Sequence, residues 1–221
     1  MLDFFLSNPH FVIVISTAFT CIIISIFLYF KKRNNLLIKY SLFFFLSILT
    51  SLQSALNTSI YFSNLIFALF FSYDFLFLLS FTESIFTKNV RYYKSKYFML
   101  TISIVLVYLF FYKNPKSIHY VSALYAFFTL YLIIPFMKKY SKDNNNKIQI
   151  DEFQYWILSG FLINGIATLT CSLMIIVSTN INTSNTVYLL LFLTMYISWV
   201  IKYLMLLKSN LCLMKQIKYG A

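Results

Sequence analysis

The feature that most constrains this chain is an apolar run that stops, turns and starts again seven times within 221 residues. A helix rises ~1.5 Å per residue and must cross ~30 Å of hydrocarbon, so about 17 to 25 apolar residues suffice to span a bilayer. Such runs occupy Phe11 to Phe30, Leu36 to Leu56, Ile60 to Phe81, Tyr97 to Tyr112, Ile118 to Met137, Tyr155 to Val177 and Val187 to Leu207, the fourth being the shortest. They are continuously apolar rather than alternating, which predicts helices and not barrel strands. The expected fold is all-α: a polytopic membrane helix bundle of seven transmembrane helices, forming one transmembrane domain over residues 1–221 with no soluble domain.

Composition excludes the soluble alternatives. Charged residues make up 11% of the chain, against roughly 25% in an average soluble domain. The net charge of +12 would raise the question of nucleic acid, yet the basic residues sit in short clusters between apolar runs, and no nucleic-acid partner is expected. The lipid bilayer is the first expected partner. Cys21, Cys171 and Cys212 are scattered and far from any histidine cluster, which supports neither a disulfide framework nor a zinc site. No cofactor is expected. Heavy use of Phe, Ile, Leu, Lys, Asn and Tyr with three Gly suggests an AT-rich, bacterial genome and hence the inner membrane.

Lysine and arginine are retained on the cytoplasmic side of a membrane and so report orientation. Lys31, Lys32, Arg33 and Lys39 follow span one; Lys88, Arg91, Lys94 and Lys96 follow span three; Lys138, Lys139, Lys142 and Lys147 follow span five; Lys202, Lys208, Lys215 and Lys218 end the chain. The opposite side holds Lys113 and Lys116. This distribution predicts an odd number of spans, the N-terminus outside and the C-terminus in the cytoplasm. Met1 to His10 carries Asp3 and no basic residue, so the first span is expected to stay as a membrane anchor. The tail after Lys208 is expected to be too short to fold on its own.

Polar residues at helical spacing mark faces that meet other helices or water. Span two carries Ser47, Thr50, Ser51, Ser54 and Asn57 on one stripe; span five carries His119, Ser122, Tyr125 and Thr129; span six carries Gly160, Asn164, Ala167, Thr168 and Cys171. A polar cleft in the outer half of the bundle is expected, with Asn57, Ser54, His119, Ser122 and Asn164 as candidate lining residues. The competing expectation is that these small residues only let helices approach closely.

Asp74 lies ~21 Å from the outer edge of span three and Lys202 ~22 Å from the outer edge of span seven, counting the helix rise. A carboxylate in mid-membrane costs roughly 2.5 to 3.5 kcal/mol on insertion scales, and an opposite charge lowers that cost. Asp74 with Lys202 is therefore the candidate buried ion pair. The alternative lets Lys202 snorkel on its long stem to the headgroups. Tyr73-Asp74 lacks the second aspartate of an aspartyl dyad, Ser159-Gly160 lacks a histidine base, and Ser198 stands where a rhodopsin has an aspartate four residues before its retinal lysine. No catalytic constellation is present and no enzyme is expected.

The N-out layout, the basic hinge Lys31 to Asn35, the stretch FLFLLSFTESIFTKNVRYYKSK from Phe75 to Lys96 and the segment Phe153 to Leu169 together resemble the membrane input domains of bacterial seven-helix sensor histidine kinases and membrane-bound AraC-like regulators. The resemblance implies a sensor. No kinase or DNA-binding portion follows Lys208, so a cytoplasmic or membrane protein partner is expected to supply the output. A second expectation is a small-solute carrier of three helices, a linker helix and three helices. Lys31-Lys32 matches Lys138-Lys139, Asn57 to Ser59 matches Asn182 to Ser184, and Asp74 matches Lys202, a parallel repeat similar to that of SWEET-type sugar carriers. None of Pro9, Pro115 or Pro135 is followed by the Gln of that family's Pro-Gln motif. A third expectation is a scaffolding subunit of a membrane complex.

Overall fold

A computed structural model of the chain describes residues 9–32, 35–55, 66, 69–78, 117–142, 152–178 and 185–219. Among these lie six helices: α1 Pro9–Lys32, α2 Asn35–Ala55, α3 Leu69–Leu78, α4 Ser117–Lys142, α5 Glu152–Ser178 and α6 Asn185–Tyr219. Four contain stretches long and apolar enough to cross a bilayer, Val12–Lys31, Ile118–Pro135, Glu152–Ser178 and Thr186–Gln216. The described residues are all helical, and their long apolar helices mark the chain as a membrane protein. The run Tyr97 to Tyr112, the candidate cleft residue Asn57 and the flanks of span three lie outside the described residues.

The helix that carries span seven runs on past Leu207; α6 continues unbroken to Tyr219. Lys208, Ser209 and Asn210 look like a membrane exit in the sequence, yet Ser209 and Asn210 are fully buried and bonded inside the bundle. The tail after Lys208, expected to be too short to fold on its own, is held as helix by these contacts with its neighbours.

Side-chain contacts fix the helix directions. On α2 and α6, Tyr40 meets Ser209 while Phe43 and Phe44 meet Tyr203, so these two run antiparallel. On α5 and α6, Phe153 meets Ser209 and Asn164 meets Ser198, again antiparallel. Ser122 with Ser172 and Leu130 with Gly165 make α4 and α5 antiparallel. By contrast α3 runs parallel to α6, through Phe70 with Trp199 and Asp74 with Lys202, and parallel to α4, through Phe71 with Tyr125 and Phe75 with Phe128. Helices α3, α4 and α6 thus point one way and α2 and α5 the other. The C-terminal turns of α4 and α6, whose sequences carry lysines, lie at one end of the bundle, here the basic end.

Between helices in lipid the hydrophobic effect gives no drive to associate, so shape and polar ties decide the packing. The shape is supplied by aromatic side chains: Phe43 stacks on Phe77 at 4.3 Å between ring centroids, Phe71 on Tyr125 at 4.8 Å, and Tyr40 meets Phe77 edge-on at 5.1 Å. Hydroxyls that face neighbours satisfy themselves on their own helix, Ser47 on the Phe43 carbonyl and Thr50 on that of Leu46. Outward faces carry Phe19, Phe27, Phe30, Leu173 and Leu189, an apolar surface suited to acyl chains.

Gly160 lets α5 lie against the backbone of α6. A Cβ there would stand 3.2 Å from Met205 Cβ and 3.3 Å from the Lys202 carbonyl oxygen. Gly160→Leu is expected to lower stability by about 1 to 3 kcal/mol through overpacking, read as a lower melting temperature in detergent. Leu173→Ala, on the lipid face, should stay within about 0.5 kcal/mol of the parent. Equal melting for both variants would show that α5 and α6 are not in close contact.

Candidate functional site: a buried ion pair in an aromatic box

Lys202 stands at the midpoint of α6, seventeen positions from Asn185 and seventeen from Tyr219. Its ammonium donates to Asp74 Oδ2 at 2.8 Å, and both side chains are shut away, with 1% and 0% of their surface exposed. Snorkelling is thus not what Lys202 does. The Tyr125 hydroxyl of α4 donates to the same Oδ2. Three helices therefore converge on one oxygen atom. Asp74 Oδ1, equally buried, has no hydrogen-bond partner among the described residues.

The ammonium carries a second set of contacts that the sequence did not announce. The ring centroids of Phe161, Tyr203, Phe43 and Phe70 lie 4.9, 5.5, 5.8 and 5.8 Å from Lys202 Nζ, contributed by α5, α6, α2 and α3. The faces of such rings attract a cation within about 6 Å, by about 2 kcal/mol or more when water is excluded. An aromatic box with one carboxylate wall is what keeps this charge in hydrocarbon. It recognises a cation, and the chain fills it with its own lysine.

Of the residues expected to line a cleft, Ser122 and Asn164 are fully buried and act as ties between helices. Ser122 pairs with Ser172 of α5 at 2.7 Å, and Asn164 Oδ1 accepts from Ser198 of α6 at 3.2 Å. His119 is half-buried, its ring 6.0 Å from that of Phe192. Ser54 falls in the last turn of α2. Asn57 lies outside the described residues.

A further polar knot lies about two turns beyond Lys202. Ser209 donates to the Phe153 carbonyl of α5 at 2.8 Å and meets the Tyr40 hydroxyl of α2 at 3.1 Å. Asn210 reaches α1, donating to Ser25 Oγ at 3.3 Å. The signal for this knot was a carboxamide inside an apolar run, which lipid makes costly unless a helix receives it. At the basic end, Lys208 stands 3.9 Å from the Trp156 ring centroid, beside a cavity of about 490 Å³ lined by Glu152, Leu211, Cys212 and Lys215 among others. Among the described residues no three metal-ligating side chains gather.

No protein-family model, curated protein or solved structure matches the chain.

Removing one member of a buried pair strands the other charge, at a cost of about 3 to 5 kcal/mol, whereas removing both does not. Asp74→Asn and Lys202→Met are each expected to lower the yield of folded protein in detergent more than the double variant does. Strictly additive losses would contradict the pair.

Proposed function

We propose that the chain is a sensor or receptor-like module of the bacterial inner membrane that relays to a separate protein partner, with the Asp74–Lys202 pair as its switch. The observation that carries this reading is α6 itself. It spans ~52 Å by helix rise without a break. It carries the buried charge at its midpoint and touches each of the other described helices, α1 through Asn210, α2 through Ser209, α3 through Lys202, α4 through Phe192 and α5 through Ser198. Loosening the pair frees a rigid rod whose far end, with exposed Lys208, Leu211 and Lys215 beside an open cavity, is available to a partner. Buried intramembrane charges are functional elements by default, because a merely structural role is served at lower cost by apolar packing.

The proposed topology has seven transmembrane helices, with the N-terminus outside and the basic end in the cytoplasm. Two observations support it. The lysines and arginines favour one side. Helices α3 and α4 run parallel, so a further crossing between them is needed to bring the chain back, and the run Tyr97 to Tyr112 is the segment suited to that crossing.

A second reading, the 3+1+3 carrier, draws on the contact pattern. Exchanging α1, α2, α3 for α4, α5, α6 maps the contact of α1 with α6 onto that of α4 with α3, and leaves the Asp74–Lys202 contact in place. In that reading the pair would bind and release a solute by rocking two halves.

Reporter fusions after Arg33, Lys94, Lys142 and Lys218 should all be cytoplasmic, and an external reading at any of the last three would break the topology. The relay is tested by spin labels at Lys31 and Lys215, on a background with Cys21, Cys171 and Cys212 replaced by alanine. Asp74→Asn should shift the label separation in vesicles by at least about 2 Å, the size of a helix shift at a switching interface. An unchanged separation, with solute uptake by the parent protein, would favour the carrier instead.

A further inference from the structure

The seam between α4, α5 and α6 is polar along the whole way from the face opposite the basic end to Asp74. On α5 it carries Ser172, Thr168 and Asn164, spaced four residues apart; on α4, Ser122, Tyr125 and Thr129; on α6, Ser198, one turn above Lys202. Ser122 meets Ser172 at the start, Ser198 meets Asn164 further in, and Tyr125 meets Asp74 at the end. Small residues at helical spacing would by themselves indicate only close packing. Here a second observation points to a ligand. Asn164 Nδ2, Thr168 Oγ1 and Asp74 Oδ1 are fully buried and have no hydrogen-bond partner among the described residues.

Buried polar groups in a low-dielectric setting are satisfied by protein or by ordered water. Four residues of helix rise ~6 Å, which one water spans with two hydrogen bonds of ~2.8 to 3.0 Å. Taken inward, these groups are a hydroxyl on Thr168, a donor on Asn164 and an acceptor on Asp74, groups that can each hydrogen-bond a water of the file. The two oxygens of Asp74 are also unlike: Oδ2 holds Lys202 and Tyr125, whereas Oδ1 is left for whatever arrives along the seam.

We infer that the seam holds a file of ordered water from the outer face to Asp74, and that the solute it delivers is the proton. Hydronium gives its proton to Asp74 Oδ1 and leaves as water; the neutral carboxyl then holds the Lys202 ammonium less tightly, and the pair opens. The groups facing Asp74 are Lys202 and Tyr203 of α6, Tyr125 of α4 and neighbouring Tyr73, with Cys21 of α1 beyond Tyr203. From α2 and α5 the box presents Phe43 and Phe161, neither of them charged. Lys202 is the one cation among these, so its release is the direct result of neutralising Asp74. This inference rests on the pair being the switch and names its signal.

The test uses the full chain in vesicles of one orientation, with infrared detection of the protonated-carboxyl band as the external solution is acidified stepwise. The expected result is a band that Asp74→Asn removes. Its rise should slow at least about tenfold in Thr168→Val and in Asn164→Leu, each of which removes a hydrogen-bonding wall group, and recover in Thr168→Ser. Leu173→Ala on the lipid face should leave it unchanged. An equal rise in Thr168→Val and Asn164→Leu overturns the file while leaving the switch standing, and the absence of any Asp74 band overturns proton delivery. Should the variants fail to fold, water-edited solid-state NMR on the unaltered protein decides. The Asn164 carboxamide should receive water magnetisation as early as the Lys215 ammonium, and a build-up as slow as that of lipid-facing backbone overturns the file.

Discussion

A carboxylate or an ammonium alone in hydrocarbon costs several kcal/mol, and the architecture of this protein is organised around not leaving either one alone. Asp74 and Lys202 meet at 2.8 Å on parallel helices. Their contact requires α3 and α6 to be neighbours at matched depth. That requirement sets the helix order around them: α4 must come close enough for Tyr125 to share the carboxylate, and α2 and α5 must bring Phe43 and Phe161 to the ammonium. In a bilayer, where apolar surface alone gives helices no reason to associate, such specific contacts are what distinguish one packing from another.

The same logic makes α6 the hub. Its inward-facing polar residues Ser198, Lys202 and Ser209 follow steps of four and seven, the spacing of one helix face, and each is received by a different set of helices. Asn210 adds α1. The proposed relay rests on this arrangement: the charge pair sits at the midpoint of a helix that is also tied above and below it.

Much of this was legible in the sequence. The apolar runs matched α1, α2, α4 and α5 closely because lipid demands internally bonded helices of a set length. Asp74 and Lys202 stood out because charges in such runs are rare, and their common depth followed from the rise per residue. Their adjacency did not, since depth is a property of one helix and contact is a property of two. The aromatic box was hidden for a different reason: with 26 Phe and 18 Tyr in the chain, no four of them mark themselves as cation neighbours. The continuation of α6 past Leu207 was not legible, because Lys208, Ser209 and Asn210 interrupt the apolar run, whereas in the bundle Lys208 lies on Trp156 and the other two turn inward. Ser122 and Asn164 were recognisable as a stripe, but stripes do not name the helix they face.

The central claim is that the two buried charges touch in the membrane, and one distance decides it. Dipolar recoupling by solid-state NMR in lipid bilayers measures the separation of the Asp74 carboxyl carbon from Lys202 Nζ. A direct hydrogen bond of 2.8 Å to one carboxylate oxygen places these two atoms within about 4 Å of each other. A separation below that limit is the expected result. A separation beyond about 6 Å, at which no direct or single-water contact is made, would contradict the pair and with it the ordering of helices around it.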